Sequence, residues 1–352
     1  VTSNTSGIPI KLMNEGRSDD FKKYFAITHF FNPPRYLNLF EVVPGPDCNK
    51  DVLDFLLEYG EKFLGKTSVL AKDTPAFIGN RIGIFGIMSL FHQIKNGEYS
   101  VEEVDKLTGP AIGRPKSATF RTADIAGLDT MCHVANGVYD KCKDDELREV
   151  FKLPDFLQRM LDNNMLGSKT GQGFYKKIKD ENGKSKILAL DLKTFEYNDQ
   201  KKVSYETLKN ARKCRKRDEK FRTLISGNDK ASEFYKENFA RMFGYVQNRI
   251  PEISDNITSI DAALKTGFGW KDGPFEIWNY IGVKEGVKLM KEFDLKPVKW
   301  INEMVEKNTN TFYRINDGYK EYYDLRSKSF NKVPGQDGFI ILKNSPENKV
   351  LW

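Results

Sequence analysis

Cysteine and histidine are scarce, with four cysteines and three histidines in 352 residues. Four scattered thiols cannot build the disulfide framework of a small secreted domain. Cys48, Cys132, Cys142 and Cys214 have no metal-ligand spacing, and three dispersed histidines do not supply one, so no metal is expected. No apolar run approaches the ~18 residues of a membrane span. The opening stretch VTSNTSGIPI has neither the basic nor the apolar region of a secretory signal. We therefore expect no membrane partner and a reducing, cytoplasmic setting. A Gly-x-Gly-x-x-Gly string after a strand is also missing. The nearest match, Gly267-x-Gly269, follows a helical segment and has its next glycine at Gly273, so no phosphate-cradling loop of that kind is encoded.

What is present reads as globular. Hydrophobic residues make up 39% and charged residues 30%, and the length suggests two or three domains. Basic residues exceed acidic ones by 56 to 49, a net charge of +7 that favours anionic partners without naming one. Arg212, Lys213, Arg215, Lys216, Arg217, Lys220 and Arg222 form the densest basic stretch. Asp218 and Glu219 interrupt it and no stacking aromatics alternate with the charges, so we read a solvated face of a linker helix and expect no nucleic-acid partner.

Residues 1–72 read as strand, strand, helix, strand. FAITHFF (25–31) and LFEVVP (39–44) are short buried strands separated by the turn signal Asn32-Pro33-Pro34. Val52, Leu56, Tyr59 and Phe63 form a helical stripe that ends at Gly65, and SVLA (68–71) follows as a strand, which implies a parallel pair. Beyond this the chain turns helical. Asp73 or Thr74 is a candidate cap with Pro75 at the first helical position, and Ile78, Ile82, Phe85, Met88 and Phe91 share one face. Ser100-x-x-Glu103 has capping-box spacing, and Pro154 opens a further helix. Residues 167–228 read as a charged connector with one small hairpin.

An internal repeat then emerges. Val104-Asp105 and Gly113 recur as Ile260-Asp261 and Gly269, and Phe120 and Gly127 recur as Phe275 and Gly282 one residue closer. Two copies of one helical module are expected, packed on each other. The tail, GFIILK (338–343) followed by NSPEN and VLW, resembles a hairpin cut at its second strand. The abrupt start suggests that both ends are cuts in a larger polypeptide.

Of the three histidines, His92 and His133 sit in helical apolar settings that suit structural roles. His29 lies near the end of one strand and Glu41 near the end of the next. Adjacent strands bring such side chains together, either as a general base with an orienting carboxylate or as a buried strand-end ion pair.

Four strings, SNTSGIPI (3–10), THFFNPPRYLNLFEVVPG (28–45), KDTPAFIGNRIG (72–83) and LGSKTGQGFYKK (166–177), occur in the order and approximate spacing of the L-3-hydroxyacyl-CoA dehydrogenases. The whole chain resembles the long members of that family, whose C-terminal domain is duplicated and which are often fused to an enoyl-CoA hydratase domain of the crotonase type. The resemblance implies a mainly α fold with an α/β remnant. In it the C-terminal strands of a Rossmann domain (1–72) precede two repeated all-α domains of the 6-phosphogluconate dehydrogenase C-terminal type, at 73–178 and 229–320. A charged linker would occupy 179–228, and 321–352 would begin a following domain or linker.

The same resemblance implies NAD-dependent oxidation of a 3-hydroxyacyl-CoA in fatty-acid β-oxidation. His29 matches the base and Glu41 its orienting carboxylate. Ser6 matches a serine bonded to the reacting hydroxyl, and Asn80 a substrate-facing amide. Asn4, Ser6, Asn32 and Lys169 match the cofactor side. A hydratase partner or fused domain and a homodimer through the helical domains are implied as well. Without the glycine fingerprint the chain by itself is expected to bind NAD weakly and to be inactive. The alternative reading is a non-catalytic helical scaffold or dimerisation module.

Overall fold

A computed structural model describes residues 1–179, 181–336, 341 and 344. The first strands, β1 (Thr2–Ser3), β2 (Ala26–Phe30), β3 (Leu39–Pro44) and β4 (Thr67–Leu70), form one sheet in that order. β1 is parallel to β2, β2 antiparallel to β3, and β3 parallel to β4. Two short helices, α1 (Ile10–Asn14) and α2 (Asp19–Lys23), separate β1 from β2, and α3 (Lys50–Lys62) makes the crossover between the parallel strands β3 and β4. β2 and β3 are buried along nearly their whole length, as continuous apolar runs demand. Their register sets His29 directly opposite Glu41, so the two side chains leave the same face of the sheet.

A helical bundle follows: α4 (Gly79–Ile94), α5 (Val101–Thr108), α6 (Phe120–Ala126), α7 (Leu128–Lys141) and α8 (Asp155–Asp162). α4 begins four residues later than Pro75 suggests. The carboxylate of Asp73 is occupied by the Ile10 amide at 2.8 Å, and Ala76 and Phe77 turn left-handed with φ of 66° and 49° before the helix starts. The first amides of α4 find their acceptor elsewhere, in Glu41. Ser100 and Glu103 do form the reciprocal capping box at the start of α5.

The stretch expected to be a connector is more ordered than its composition suggests. It holds a three-stranded antiparallel sheet of β5 (Tyr175–Lys179), β6 (Ser185–Leu190) and β7 (Tyr197–Asp199), then α9 (Glu206–Lys213) and α10 (Arg217–Ser226). The basic cluster on these helices is partly built into the fold. Phe221 and Leu224 of α10 are buried, Arg217 pairs with Asp272, and Arg222 Nε donates to the Tyr280 carbonyl.

A second bundle comprises α11 (Lys230–Asn248), α12 (Ile257–Gly267), α13 (Pro274–Ile281), α14 (Val283–Glu292) and α15 (Lys299–Glu306). It is followed by an antiparallel sheet of β8 (Tyr313–Asn316), β9 (Tyr319–Asp324) and β10 (Ser329–Lys332). The boundary expected at residue 320 falls inside β9, whose two neighbours hold it to the preceding bundle's sheet. The tail hairpin expected at 338–343 falls almost entirely outside the described residues.

One set of hydrogen bonds occurs in both bundles. Asp105 accepts from the Thr119 and Phe120 amides and the Tyr175 hydroxyl, while Asp261 accepts from the Phe275 and Glu276 amides and the Tyr313 hydroxyl. Asp124 takes the amides of Phe174 and Tyr175, and Asn279 those of Phe312 and Tyr313. The bundles meet along α4, where Phe85 stacks on Tyr245 at 3.6 Å between centroids. Beside that stack Arg81, wholly buried, donates to Asp145 at 2.6 Å, to Glu252 at 3.0 Å and to the Tyr245 hydroxyl at 2.6 Å.

Candidate active site

Between the sheet and the two bundles lies a cavity of about 540 Å³. His29, Asn32 and Asn80 line it, together with Arg114 and an apolar wall that includes Ile84, Ile87, Met131 and Val134. Gly267, Phe268 and Trp270, from the end of α12 and the loop after it, add to the lining, as do the hydroxyl residues Ser117, Thr119, Thr122 and Thr130.

His29 is held on three sides. Its Nδ1 lies 2.7 Å from Glu41 Oε2, and its ring meets the edges of Phe31 and Phe77 at centroid distances of 5.1 and 5.5 Å. Glu41 is fully buried, and its other oxygen accepts the amides of Ile78 at 3.0 Å and Gly79 at 2.8 Å. The carboxylate is thus anchored at the N-terminus of α4, where both amide donors and the helix dipole favour a negative charge. An ionised Glu41 requires the proton on Nδ1, which leaves Nε2 as the basic nitrogen.

The other expected residues divide into two groups. Asn80, the second residue of α4, and Asn32, in the turn after β2, reach the cavity wall. Asn4, Ser6 and Lys169 do not line it. Asn4 Oδ1 accepts the Phe30 amide at 2.9 Å and so fastens β1 to the end of β2. Lys169 is paired with Asp129 and lies against Gly127.

Three cavity residues escaped the sequence reading. Arg114 and Trp270 each follow a glycine of the repeated pattern, Gly113 and Gly269, and they stack on each other with the guanidinium 4.1 Å from the ring centroid. The Lys271 amide donates to the Gly113 carbonyl at 2.8 Å and ties the two loops together. Burial pushes the Arg114 guanidinium down to about 10, so it remains cationic at neutral pH. Phe268 fills the space over Gly83, where even a β-carbon would collide with its ring. The departure of Gly113-Arg114-Pro115 from its counterpart Gly269-Trp270-Lys271 was the one available signal.

The sequence pattern of the 3-hydroxyacyl-CoA dehydrogenase NAD binding domain matches residues 1–74, and that of the family's C-terminal domain matches residues 77–177. A probable 3-hydroxyacyl-CoA dehydrogenase of Bacillus subtilis is 46% identical over 324 residues, which is 92% of this chain and 40% of the relative. A putative fatty acid oxidation complex trifunctional enzyme of Rickettsia prowazekii is 27% identical across the whole chain and 46% of its own length. The chain therefore spans about half or less of these relatives. Among solved structures, 3-hydroxybutyryl-CoA dehydrogenase from Escherichia coli K12 aligns with a TM-score of 0.64 at 17% identity, over 87% of this chain and 75% of that one, a likeness of fold.

Proposed function

Since the chain belongs to the 3-hydroxyacyl-CoA dehydrogenase family, we propose that the whole protein oxidises L-3-hydroxyacyl-CoA to 3-oxoacyl-CoA in fatty-acid β-oxidation, with NAD as hydride acceptor. The observation that carries this reading is the buried His29–Glu41 pair, fixed at 2.7 Å beside a largely apolar cavity. In this reading His29 Nε2 takes the proton of the substrate hydroxyl as the C3–H bond breaks and the C3 carbonyl forms. Glu41 holds the ring in the required tautomer and stabilises the imidazolium. Asn80 offers an amide to the substrate from the first turn of α4.

NAD supplies the acceptor for the hydride when bound. Asn32 is the cofactor-side residue that reaches the cavity, while the roles of Asn4, Ser6 and Lys169 rest on the resemblance of their strings. The matched hydrogen bonds of Asp105 and Asp261 support reading the two bundles as copies of one module, the second without a catalytic pair. The trifunctional relative supports a hydratase partner that supplies the 3-hydroxyacyl thioester.

The test is oxidation of NADH by the whole protein with acetoacetyl-CoA, which runs the reaction in reverse. His29→Ala should lower turnover by about 10²–10⁴-fold while leaving NAD affinity nearly unchanged. Turnover that survives the substitution would remove His29 from the role of base.

A further inference from the structure

We propose that this cavity takes 3-hydroxyacyl-CoA thioesters whose acyl chain ends in a carboxylate, and that Arg114 receives that carboxylate; the proposal rests on the dehydrogenase reading above. Arg114 is a cation without a counter-ion. Among the described residues its side chain makes no hydrogen bond or ion pair, and its Nε is closed off from solvent without a partner. Carboxylates on neighbouring segments are already engaged. Asp105 is taken by the amides of Thr119 and Phe120, Asp261 by those of Phe275 and Glu276, and Asp272 by Arg217.

The residue is half-buried, with Nε closed off and unpaired while the terminal nitrogens stay accessible, so an anionic ligand would supply the counter-charge that the protein does not. Its stacking on Trp270 fixes the plane of the group at 4.1 Å, so its N–H edges are held in one orientation. A carboxylate matches that planar edge with two parallel hydrogen bonds. Much of the wall suits the methylene chain leading to such a group, because Ile84, Ile87, Met131, Val134 and Phe268 offer no hydrogen-bonding side chains, although Ser117, Thr119, Thr122 and Thr130 add hydroxyls to the same lining. An alkyl tail of the same length would shield the cation from water and give it nothing in return.

The phosphates of CoA are the other anions a thioester carries. A multiply charged phosphate group is better served by several cations on an open surface. Among the described residues this cavity has a single arginine and no lysine on a largely apolar wall, which fits a monoanion at the end of a chain.

Calorimetric titration of the protein with chain-matched thioesters tests this directly, using adipyl-, suberyl- and sebacyl-CoA against hexanoyl-, octanoyl- and decanoyl-CoA. At the matching length the carboxylate-ended ligand should bind about 10–100-fold more tightly, the range of a charge-assisted pair. In R114M that preference should vanish with alkyl-CoA affinity retained or improved, and R114K should restore part of it. Equal affinities in the unaltered protein at every length would overturn the proposal, whether or not R114M folds. Equal weakening of both series in R114M would assign the arginine to the CoA phosphates and also overturn it. If neither series binds, the dehydrogenase reading itself falls, an outcome distinct from the other two.

Discussion

Glu41 on β3 and Gly79 at the head of α4 are joined by a hydrogen bond of 2.8 Å, which ties the β2–β3 pair of the sheet to the first helical bundle. The carboxylate that orients His29 is thereby part of the helix cap as well. Glu41→Gln keeps one oxygen for the Ile78 and Gly79 amides but presents an amide group to Nδ1. We expect kcat to fall about 10–100-fold with KM nearly unchanged, a smaller loss than for His29→Ala. Glu41→Ala strips the cap too, and should cost a further ~1–3 kcal/mol of stability in urea unfolding.

Arg81 should be the most sensitive surface between the bundles. It is wholly buried and pairs with Asp145, which is buried too and also accepts from Arg249 at 3.0 Å. Arg81→Met leaves these acidic groups short of one cation, and breaking such a pair costs about 3–5 kcal/mol. A fall in urea midpoint with unchanged slope is the expected record. A loss under ~1 kcal/mol would mean that Arg249 alone compensates the acidic cluster.

Gly83 on α4 is required by contact with Phe268. An added methyl would meet the ring at 2.1 Å, so Gly83→Ala must displace an aromatic that forms part of the cavity wall. Overpacking of this kind costs about 1–3 kcal/mol, against the smaller gain that alanine brings to a helix interior. Affinity for acyl-CoA should fall together with stability.

Asp105 gives a pH dependence whose sign is fixed. Burial raises its carboxyl from an ordinary 3.8 to about 6, against the lowering effect of the Phe120 amide, the Tyr175 hydroxyl and the Thr119 amide. The folded state therefore holds the proton more tightly than the unfolded chain. The contribution to stability is full below about pH 4 and declines as pH rises to about 6. The stability difference between the unaltered protein and Asp105→Asn should shrink by about 1–3 kcal/mol from pH 4 to pH 7. A difference that grows over that range would contradict the assignment.

Local chemistry was legible in the sequence where it depends on near neighbours. The apolar runs of β2 and β3, the Ser100–Glu103 box and the twelve-residue spacing of His29 and Glu41 all rest on short-range pattern. The start of α4 was not, because its acceptor is Glu41, a residue on another element, and Asp73 is drawn away by Ile10. The ion pair of Lys169, which the resemblance set on the cofactor side, could not be read from the sequence because its partner, Asp129, is forty positions away in the chain. Arg114 gave no sign beyond its break with the repeat, since the ring that orients it belongs to the other bundle.

Phe268 and Trp270 stand on the second bundle, yet they face the chamber that His29 serves. A polypeptide with only one such bundle would show an open trough at that place and would need a second molecule to roof it. Here the roof is covalently continuous with the floor. Substitutions in the second bundle can therefore reshape this chamber while the His29–Glu41 pair stays untouched.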